Sequence, residues 1–512
     1  MISNLEKERL GYTPILLDVF KGQPGDNAEM FELMGAARFR NGKTDKKTLR
    51  SIKNICVILS GGPASGGHNV ICGIFDAVQK AKSESIIYGS IAGPGGLVEG
   101  NLKQVTANLV NKYRNHGGFD MLGTGRTKLD KEEQFESIIK VCAKKDINVI
   151  FVIGGDDSNT NAAIMDDYFK SKGADISVIG VPKTIDGDLK NKNIEITFGF
   201  DSATKMYSET IGNIENDAAS SRKYYHFIRV MGRSASHIAL ECALQCQPNI
   251  TLISEEIKAK KMNLDSIAKY IADIVKKRKE AGLKHGVCLV PEGIIEFIDD
   301  INALIKELNT ILAGNAGMSK EEICSKLTAK SQKAFASIPE TYQDQLLSKR
   351  DPHGNVQVSS VESEKIIAEK VKQKLNDPDF DYQTHFLGYE GRCGFPTNFD
   401  CTYTYNLGFC AYYLALFNKS GYICFIKDVG ERIKEWKAGG IPLNSMITTE
   451  NRNGVKKKVI EKALVDLEGK PFKKFESNRE SFALSDQYVY PGPIQFTDVK
   501  EFNIPITLKL ES

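Results

Sequence analysis

The sequence predicts an α/β protein built from two domains with parallel sheets, and three observations support this class. Short runs rich in valine and isoleucine recur along the chain, as in strands that are buried on both faces. Segments with helical periodicity separate these runs, which is the rhythm of strand–helix–strand units. Glycine-rich or acidic turns follow several runs, and ligands bind at the carboxyl ends of strands in such sheets.

Composition and charge are those of an ordinary globular protein. The chain has 512 residues, of which 41% are hydrophobic and 26% are charged, and a formal net charge of +3. This length suits about three domains, and so small a charge predicts binding neither to nucleic acid nor to a membrane surface. No stretch reaches the ~18–20 apolar residues that span a bilayer. The charged segment 1–9 lacks the apolar core of a secretory signal.

The cysteines predict a reducing compartment. Their number, 11, is odd, and no Cys-x-x-Cys pair occurs. Cys242 and Cys246, four apart on a predicted helix, could form a metal pair, but cysteines scattered through apolar runs are typical of buried small hydrophobic residues. We therefore expect a cytoplasmic protein.

Predicted strands and helices alternate from residue 54 onward. The predicted strands are 54–60, 148–153, 178–181, 224–230, 249–253 and 286–290. The predicted helices are 70–80, 161–169, 202–216, 237–244 and 265–282, after which the strand signals fade until about residue 383.

This rhythm predicts two Rossmann-like parallel-sheet domains with the active site between them, plus a helical insertion and terminal extensions. The predicted units are an N-terminal extension (1–50), a first α/β domain (51–200), a second α/β domain (201–296), the helical insertion (297–383), and the remainder of the second domain with a C-terminal extension (384–512).

The stretch 178–188 concentrates reactive groups directly after an apolar run. These groups are Lys183, Thr184, Asp186 and Asp188. Another apolar run, 150–155, is followed by Asp156 and Asp157. Because the carboxyl ends of parallel strands meet at one edge of a sheet, these side chains are expected to form a site for a metal and a polyanion.

Such groups suit transfer of a phosphoryl group to a sugar hydroxyl, which needs a base, oxygen ligands for Mg2+ and cations around the phosphate. Asp186 is a candidate base, Asp156 a candidate Mg2+ ligand, and Lys183 can neutralise charge on the transferring group. Other turns hold candidate partners for phosphates and sugar hydroxyls, namely Arg126, Arg233, Arg392 and Glu292.

Each group also has a purely structural interpretation. Asp186-Gly187 is a common turn dipeptide, and the Asp156-Asp157 pair can stabilise a helix N-terminus through the helix dipole. The glycine-rich turn 61–69 matches neither the Walker pattern nor Gly-x-Gly-x-x-Gly, so taken alone it fits a tight strand–helix connection. Five strand ends that all carry phosphate-compatible groups are harder to assign to turns.

Six segments resemble, in order, the motifs of the phosphofructokinase family, and more closely those of its long pyrophosphate-dependent branch. They are 61–69 (GGPASGGHN), 154–162 (GGDDSNTNA), 182–189 (PKTIDGDL), 231–233 (MGR), 291–293 (PEG) and 388–393 (GYEGRC). The resemblance implies a Mg2+-dependent transferase that moves a phosphoryl group reversibly from pyrophosphate to the 1-hydroxyl of fructose 6-phosphate. It places the donor in the first α/β domain and the sugar phosphate in the second.

The resemblance also implies roles for individual residues. Asp186 matches the base, Asp156 the Mg2+ position, and Gly61, Gly62 and Arg126 the donor positions. The positions that match sugar-phosphate contacts are Thr184, Asp186, Asp188, Met231, Gly232, Arg233, Glu292, Tyr389 and Arg392. Lys223 and Tyr224 match positions that reach the neighbouring subunit's site, so a homodimer or homotetramer with shared sites is expected. ATP-dependent relatives have arginine there, and histidine in place of Tyr389.

Two positions bear on the choice of donor. ATP-dependent members carry glycine where this chain has Asp157 and Lys183. The Asp157 carboxylate would fill and charge the space of a nucleotide α-phosphate, which opposes ATP. Lys183 would set a cation beside the small inorganic leaving group. Both residues are therefore expected to take part in catalysis and donor binding, with pyrophosphate as the donor.

Three alternatives compete with this expectation. The first is an ATP-dependent phosphofructokinase, which Asp157 and Lys183 disfavour. The second keeps pyrophosphate but uses another ketose phosphate, such as sedoheptulose 7-phosphate. The third is a non-catalytic subunit that only binds sugar phosphates; it predicts loss of the base or of the metal carboxylate, whereas Asp186 and Asp156 are both present.

Overall fold

A computed structural model of the protein describes residues 12, 14–16, 31–33, 49–312, 318–348, 356–357, 360–452, 455–492 and 504–511. Within these residues, the strands form an eight-stranded sheet, a four-stranded sheet and a two-stranded hairpin. Helices cover both sheets, so the protein is an α/β protein with two sheet domains, as expected.

The strands are short, and most of them coincide with apolar runs in the sequence. In chain order they are β1 (Phe31–Leu33), β2 (Asn54–Leu59), β3 (Ile87–Ser90), β4 (Leu102–Gln104), β5 (Ile147–Gly154), β6 (Ser177–Pro182), β7 (Tyr225–Val230), β8 (Ile250–Thr251), β9 (Gly286–Pro291), β10 (Tyr382–Leu387), β11 (Tyr422–Lys427), β12 (Lys437–Pro442), β13 (Ile447–Arg452) and β14 (Val455–Ile460).

The helices begin, in several cases, directly at a strand end. In chain order they are α1 (Gly67–Lys80), α2 (Pro94–Glu99), α3 (Ala107–Tyr113), α4 (Glu132–Lys145), α5 (Asp156–Ser171), α6 (Phe200–Ser221), α7 (His237–Cys246), α8 (Ser254–Ala259), α9 (Leu264–Glu280), α10 (Asp299–Leu312), α11 (Lys320–Lys326), α12 (Ala329–Ser337), α13 (Glu340–Ser348), α14 (Ser363–Leu375), α15 (Glu390–Cys393), α16 (Asn398–Leu416), α17 (Lys470–Leu484) and α18 (Ile506–Glu511).

The larger sheet has the strand order β1-β12-β11-β6-β5-β2-β3-β4. Its central strands are parallel, and all eight residues of β5 are buried. Towards both edges, β3 with β4 and β11 with β12 pair antiparallel. The sheet is therefore mixed, because the connections 91–101 and 428–436 reverse the direction of the chain.

The smaller sheet has the order β10-β7-β9-β8, and each neighbouring pair is parallel. One face of β7 and β9 shares a hydrophobic core with α9 and with helices from the predicted insertion, such as α10, α12 and α14. The described helices between residues 297 and 383 thus cover the smaller sheet.

Residues 384–512 divide between the two sheets. β10 adjoins β7 in the smaller sheet, whereas β11 joins the larger sheet beside β6. β1, the one described strand before residue 49, pairs with β12. The strand pairing thus differs from our assignment of 384–512 to the second domain, because β11 and β12 return to the larger sheet. The unit boundaries themselves remain predictions.

Several predicted elements differ in extent from those observed; α6, for example, ends at Ser221, five residues after its predicted end. α5 begins at Asp156, five residues before the predicted start, because the acids in its first turn favour the positive end of the helix dipole. The predicted strand 249–253 is only Ile250–Thr251, and α8 follows it. Ser319 and Glu322 form a capping box at the start of α11.

Cys242 and Cys246 are buried on α7, and their thiols face backbone carbonyl oxygens of Thr204 and Ser208. This confirms the interpretation of the pair as small buried residues. Among the described residues, no three histidine, cysteine, aspartate or glutamate side chains group as metal ligands. No helix in the described part of the chain is long and apolar enough to cross a membrane.

Candidate active site

The carboxyl ends of β5 and β6 bring the two acidic turns together. β5 and β6 are parallel neighbours, and the Lys183 amide donates a hydrogen bond to the Gly154 carbonyl oxygen over 3.0 Å. Asp156 and Asp157 form the first turn of α5 directly after Gly154-Gly155. The sequence pattern therefore places Lys183 and Asp156 on adjacent turns, as expected for strand ends in a parallel sheet.

Lys183 is a buried cation, with 5% of its surface exposed. Burial lowers the pKa of its ammonium to about 8; Arg392 and Arg126 act in the same direction, whereas Asp186 and Asp156 oppose it. These influences show that the lysine lies within electrostatic reach of two predicted phosphate-binding arginines and two predicted catalytic acids.

The glycine turn after β2 lies against this lysine. Gly61 has a φ of +84°, and a side chain there would begin 3.2 Å from the Lys183 Nζ atom. A Cβ atom at Gly62 would lie 3.4 Å from Arg392 Cζ and 3.6 Å from Arg126 Nη2. Glycine at both positions therefore leaves the space beside one ammonium and two guanidinium groups open. Their combined charge suits a small polyanion.

The turn after β6 carries the carboxylates. The Thr184 hydroxyl oxygen accepts a hydrogen bond from the Asp186 amide over 3.1 Å, and Gly187 has a φ of +73°. Asp188 is buried, and burial raises the pKa of its carboxyl to about 7; Asp186 and Asp156 raise it further, whereas Lys462 opposes the rise. Three acids thus lie close enough to repel one another.

This carboxylate cluster fits a divalent cation. Asp186 and Asp156 add to the effect of burial on the pKa of Asp188, and a cation held at Asp156 would relieve the part of this repulsion that Lys462 leaves. Mg2+ usually takes one or two carboxylates, keeps several waters and binds substrate phosphates, so it needs no cage of protein ligands. Asp156, with 24% of its side chain exposed, meets that requirement.

Residues from the smaller sheet face the acids. Met231, Gly232 and Arg233 follow β7, and Glu292 follows β9 beside it. Burial raises the pKa of Glu292 to about 7; Asp186 raises it further, while Arg229, Arg233 and Arg392 oppose the rise. The two sheets therefore present their strand ends to one another, and the site lies between them.

Gly293 allows the two loops of the smaller sheet to meet. A Cβ atom at this position would lie 1.7 Å from the Arg233 carbonyl oxygen. The glycine of the Pro-Glu-Gly segment is therefore required by close packing, which fixes the Arg233 backbone next to Glu292.

Tyr389 and Arg392 extend the site from the turn after β10. The Arg392 guanidinium lies 4.9 Å from the centre of the Tyr389 ring, and Tyr389 is 67% exposed. Gly391 packs so closely on Tyr207 that a Cβ atom would lie 2.4 Å from its ring. Arg392 is thereby held over the Gly62 turn, with Tyr389 at the rim.

Lys223 and Tyr224 lie apart from this cluster. They precede β7 at its amino end, whereas Met231 directly follows its carboxyl end, about 23 Å from Tyr224 at the usual rise of a strand. The structure brings the other predicted site residues to the facing strand ends of the two sheets; Asp157 lies exposed on the first turn of α5.

Two residues near the acids were absent from the sequence-based set. Buried Arg229, within β7, pairs with Glu364 of α14 at 2.8 Å and stacks on Phe386 at 4.0 Å. Lys462, which follows the β13–β14 hairpin, lies 3.4 Å from an Asp156 carboxylate oxygen. Neither residue belongs to a strand-end motif, so the pattern that identified the others had no signal for them.

Known proteins resemble this chain over most of its length. Residues 54–415 match the model of the family described as Phosphofructokinase. The chain is 50% identical to the pyrophosphate–fructose 6-phosphate 1-phosphotransferase of Porphyromonas gingivalis over 459 residues, covering 86% of this chain and 84% of that protein. It is also 50% identical to the beta subunit of the enzyme of the same name from Ricinus communis over 454 residues, covering 86% and 82%.

A solved structure shares the fold. The pyrophosphate-dependent phosphofructokinase from Nitrosospira multiformis superposes with a TM-score of 0.58 at 19% identity, covering 90% of this chain and 97% of that one. The family match, the curated relatives and the shared fold lead to one conclusion: this chain belongs to the phosphofructokinase family.

Proposed function

We propose that the protein transfers a phosphoryl group from pyrophosphate to the 1-hydroxyl of fructose 6-phosphate, giving fructose 1,6-bisphosphate and phosphate. The observation that carries this proposal is the buried Lys183 ammonium between the open Gly61 turn and Asp186, within reach of Arg126 and Arg392. Both curated relatives named above carry this activity in their names.

In the proposed reaction, Asp186 accepts the proton of the 1-hydroxyl as its oxygen attacks the nearer phosphorus of the donor. The phosphorus–oxygen bond to the second phosphate breaks, and inorganic phosphate leaves. Lys183, Arg126 and Arg392 stabilise the charge on the transferring and leaving groups, which is the main form of catalysis in phosphoryl transfer. Because one phosphate bond replaces another of similar free energy, the reaction is reversible.

A Mg2+ ion would be held by Asp156 together with donor phosphate oxygens, where it would neutralise developing charge. On the acceptor side, the proposed contacts come from the loops of the smaller sheet and the turn after β6. They are Thr184, Asp188, Met231, Gly232, Arg233, Glu292, Tyr389 and Arg392. Glu292 suits the sugar hydroxyls, since its carboxyl lies beside Asp186 and arginines.

We propose pyrophosphate as the donor because of Asp157. Its carboxylate lies at the exposed start of α5, next to the residue that would hold the metal. A nucleotide donor would bring its α-phosphate against this negative charge, whereas pyrophosphate has no such group. Together with Lys183, the aspartate disfavours ATP without reducing the positive charge around the two reacting phosphates.

The assembly proposed is a homo-oligomer in which Lys223 and Tyr224 complete a site on a second copy. They lie at the amino end of β7, whereas this chain's own site lies at the carboxyl end, and this position supports such a role. Some curated relatives are named as alpha or beta subunits; the alpha subunit 2 of Arabidopsis thaliana is 34% identical, against 48% for its beta subunit 1.

Phosphorus NMR tests the proposed reaction. With pyrophosphate, fructose 6-phosphate and Mg2+, the pyrophosphate signal should decay while phosphate and a sugar 1-phosphate ester form in equal amounts, and fructose 1,6-bisphosphate with phosphate should regenerate pyrophosphate. Asp186→Ser should abolish both directions. Turnover with sedoheptulose 7-phosphate but not with fructose 6-phosphate would reassign the acceptor, and silence with both would favour a non-catalytic subunit.

A further inference from the structure

Lys462 lies in the middle of the acidic cluster, although the proposed mechanism gives it no role. Its Nζ atom is 3.4 Å from Asp156 Oδ2 and 3.5 Å from Asp188 Oδ2. It also donates a hydrogen bond to the Ser234 hydroxyl oxygen over 2.7 Å. One ammonium therefore connects the turns after β5 and β6 of the larger sheet with the loop after β7 of the smaller sheet.

The neighbouring backbone fixes this lysine in place. The Ala463 amide donates to the Asp188 carbonyl oxygen over 2.7 Å, and the Ala463 carbonyl oxygen accepts from His237 Nε2 over 2.9 Å. Two residues on, the Val465 amide donates to the buried Glu255 carboxylate over 3.0 Å. The segment 463–465 is thus anchored to both sheet domains, and the Lys462 contacts are part of a built arrangement.

Lys462 lies where its positive charge would repel a metal ion bound at Asp156. Asp156 is the proposed Mg2+ ligand, and an ammonium 3.4 Å from its carboxylate already supplies positive charge. A divalent cation that arrives alone would be repelled by the lysine, whereas a pyrophosphate anion would be attracted to it. The residue follows position 415, where the family match ends, so the match assigns it no role.

We propose that Lys462 is the resident counter-ion of the Asp156–Asp188 carboxylate pair, which keeps Mg2+ weakly bound until pyrophosphate arrives with it. The inference rests on the proposed function, because it takes Asp156 as the metal ligand. Lys462 is then a positioning residue that makes metal binding depend on donor binding. The negative charge of pyrophosphate offsets the positive charges of both the lysine and the metal ion.

The test measures how tightly the full-length Lys462→Met protein binds a cation, Mn2+, and an anion, pyrophosphate. Mn2+ binding without pyrophosphate is followed by electron paramagnetic resonance, and pyrophosphate binding with a chelator present is followed by calorimetry. Removing one charge at this distance should tighten Mn2+ binding about fivefold or more and weaken pyrophosphate binding by a similar factor. A purely structural defect would weaken both.

Matched variants separate the effect of the Lys462 charge from other effects of the substitution. Lys458→Met removes a lysine from the same segment, but Lys458 is 60% exposed and pairs with Asp167 at 3.9 Å, so neither affinity should change. Lys462→Arg should resemble the unmodified protein. Lys462→Gln, which can still contact Ser234, should shift both affinities as Lys462→Met does and serves if the methionine variant fails to fold.

The proposal is overturned if Lys462→Met and Lys462→Gln bind Mn2+ no more tightly than Lys458→Met, or if they bind pyrophosphate equally well. Asp156→Asn separates this result from a failure of the proposed function. If Asp156→Asn weakens Mn2+ binding while the lysine variants leave it unchanged, only the role of Lys462 is wrong. If Asp156→Asn also leaves Mn2+ binding unchanged, the metal assignment itself is wrong.

Discussion

At the scale of single residues, Lys183 links burial to the pH dependence of the reaction. Burial lowers the pKa of its ammonium to about 8, so the side chain is charged below that pH and loses its proton as the pH rises through it. Because kcat/KM reports the free enzyme, kcat/KM for pyrophosphate should fall above about pH 8.

Lys183→Arg tests this assignment. Arginine keeps its charge throughout the accessible range, so the alkaline fall in kcat/KM should move upward or vanish, even if the overall rate is lower. Initial rates from pH 6 to 10 provide the measurement, and stability across this range is checked by circular dichroism. A fall that stays near pH 8 in the variant would show that another group titrates.

Asp157 is the residue on which donor choice is expected to depend. Asp157→Gly removes a like charge from the path of a nucleotide, so the ratio of kcat/KM for ATP to that for pyrophosphate should rise about tenfold or more. Asp157→Asn, which keeps the size but not the charge, separates repulsion from steric exclusion. If ATP use stays undetectable in a folded Asp157→Gly protein, Asp157 is not the residue that excludes ATP.

Sequence reasoning could place the site residues that directly follow a strand. Asp156, Lys183 and Glu292 each follow a run of buried apolar residues, and parallel pairing necessarily brings such ends to one edge. Lys462 could not be placed this way, since its position depends on a hairpin and on anchors more than 200 residues away in sequence, such as His237.

At the scale of elements, helices α1 and α16 cross with their backbones in contact. A Cβ atom at Gly73 would lie 2.1 Å from the Tyr405 carbonyl oxygen, and one at Gly408 would lie 2.3 Å from the Val70 carbonyl oxygen. α16 also packs on β6 and β11, so the crossing holds α1, which follows the Gly61 turn, against the larger sheet.

Gly73→Ala should therefore be destabilising. Neither backbone can yield without moving its helix, and overpacking of this kind costs about 1–3 kcal/mol. The thermal midpoint should drop by several degrees in a differential scanning experiment. Gly394→Ala is the control, because no atom lies within 4 Å of a Cβ atom there and its φ of −61° suits alanine. Equal midpoints for the two variants would contradict the close crossing.

The elements predicted best were those with strong apolar runs, such as β5 and β9. The start of α5 was predicted five residues late because Gly154-Gly155 and the acids read as a loop, although the same acids stabilise the helix N-terminus. The return of β11 and β12 to the larger sheet was not visible in the sequence, since pairing between distant segments leaves no local periodicity.

At the scale of the whole molecule, a complementation experiment tests the sharing of sites. Asp186→Ser should lack a base, and Lys223→Ala should lack its contribution to a partner. When the two variants are co-refolded or co-expressed, a mixed oligomer contains one site with both Asp186 and a partner's Lys223. Specific activity above that of either variant alone is expected. Activity equal to the mean of the two would show that each site is built from one chain.

The most direct test of the central claim compares donors in the unmodified protein. Initial rates are measured with fructose 6-phosphate and Mg2+, with pyrophosphate or ATP as donor and with Asp186→Ser as the control. We expect turnover with pyrophosphate, none with ATP, and loss of activity in the control. Activity with ATP would contradict the roles given to Asp157 and Lys183, and activity that survives in the control would contradict the role of Asp186 as the base.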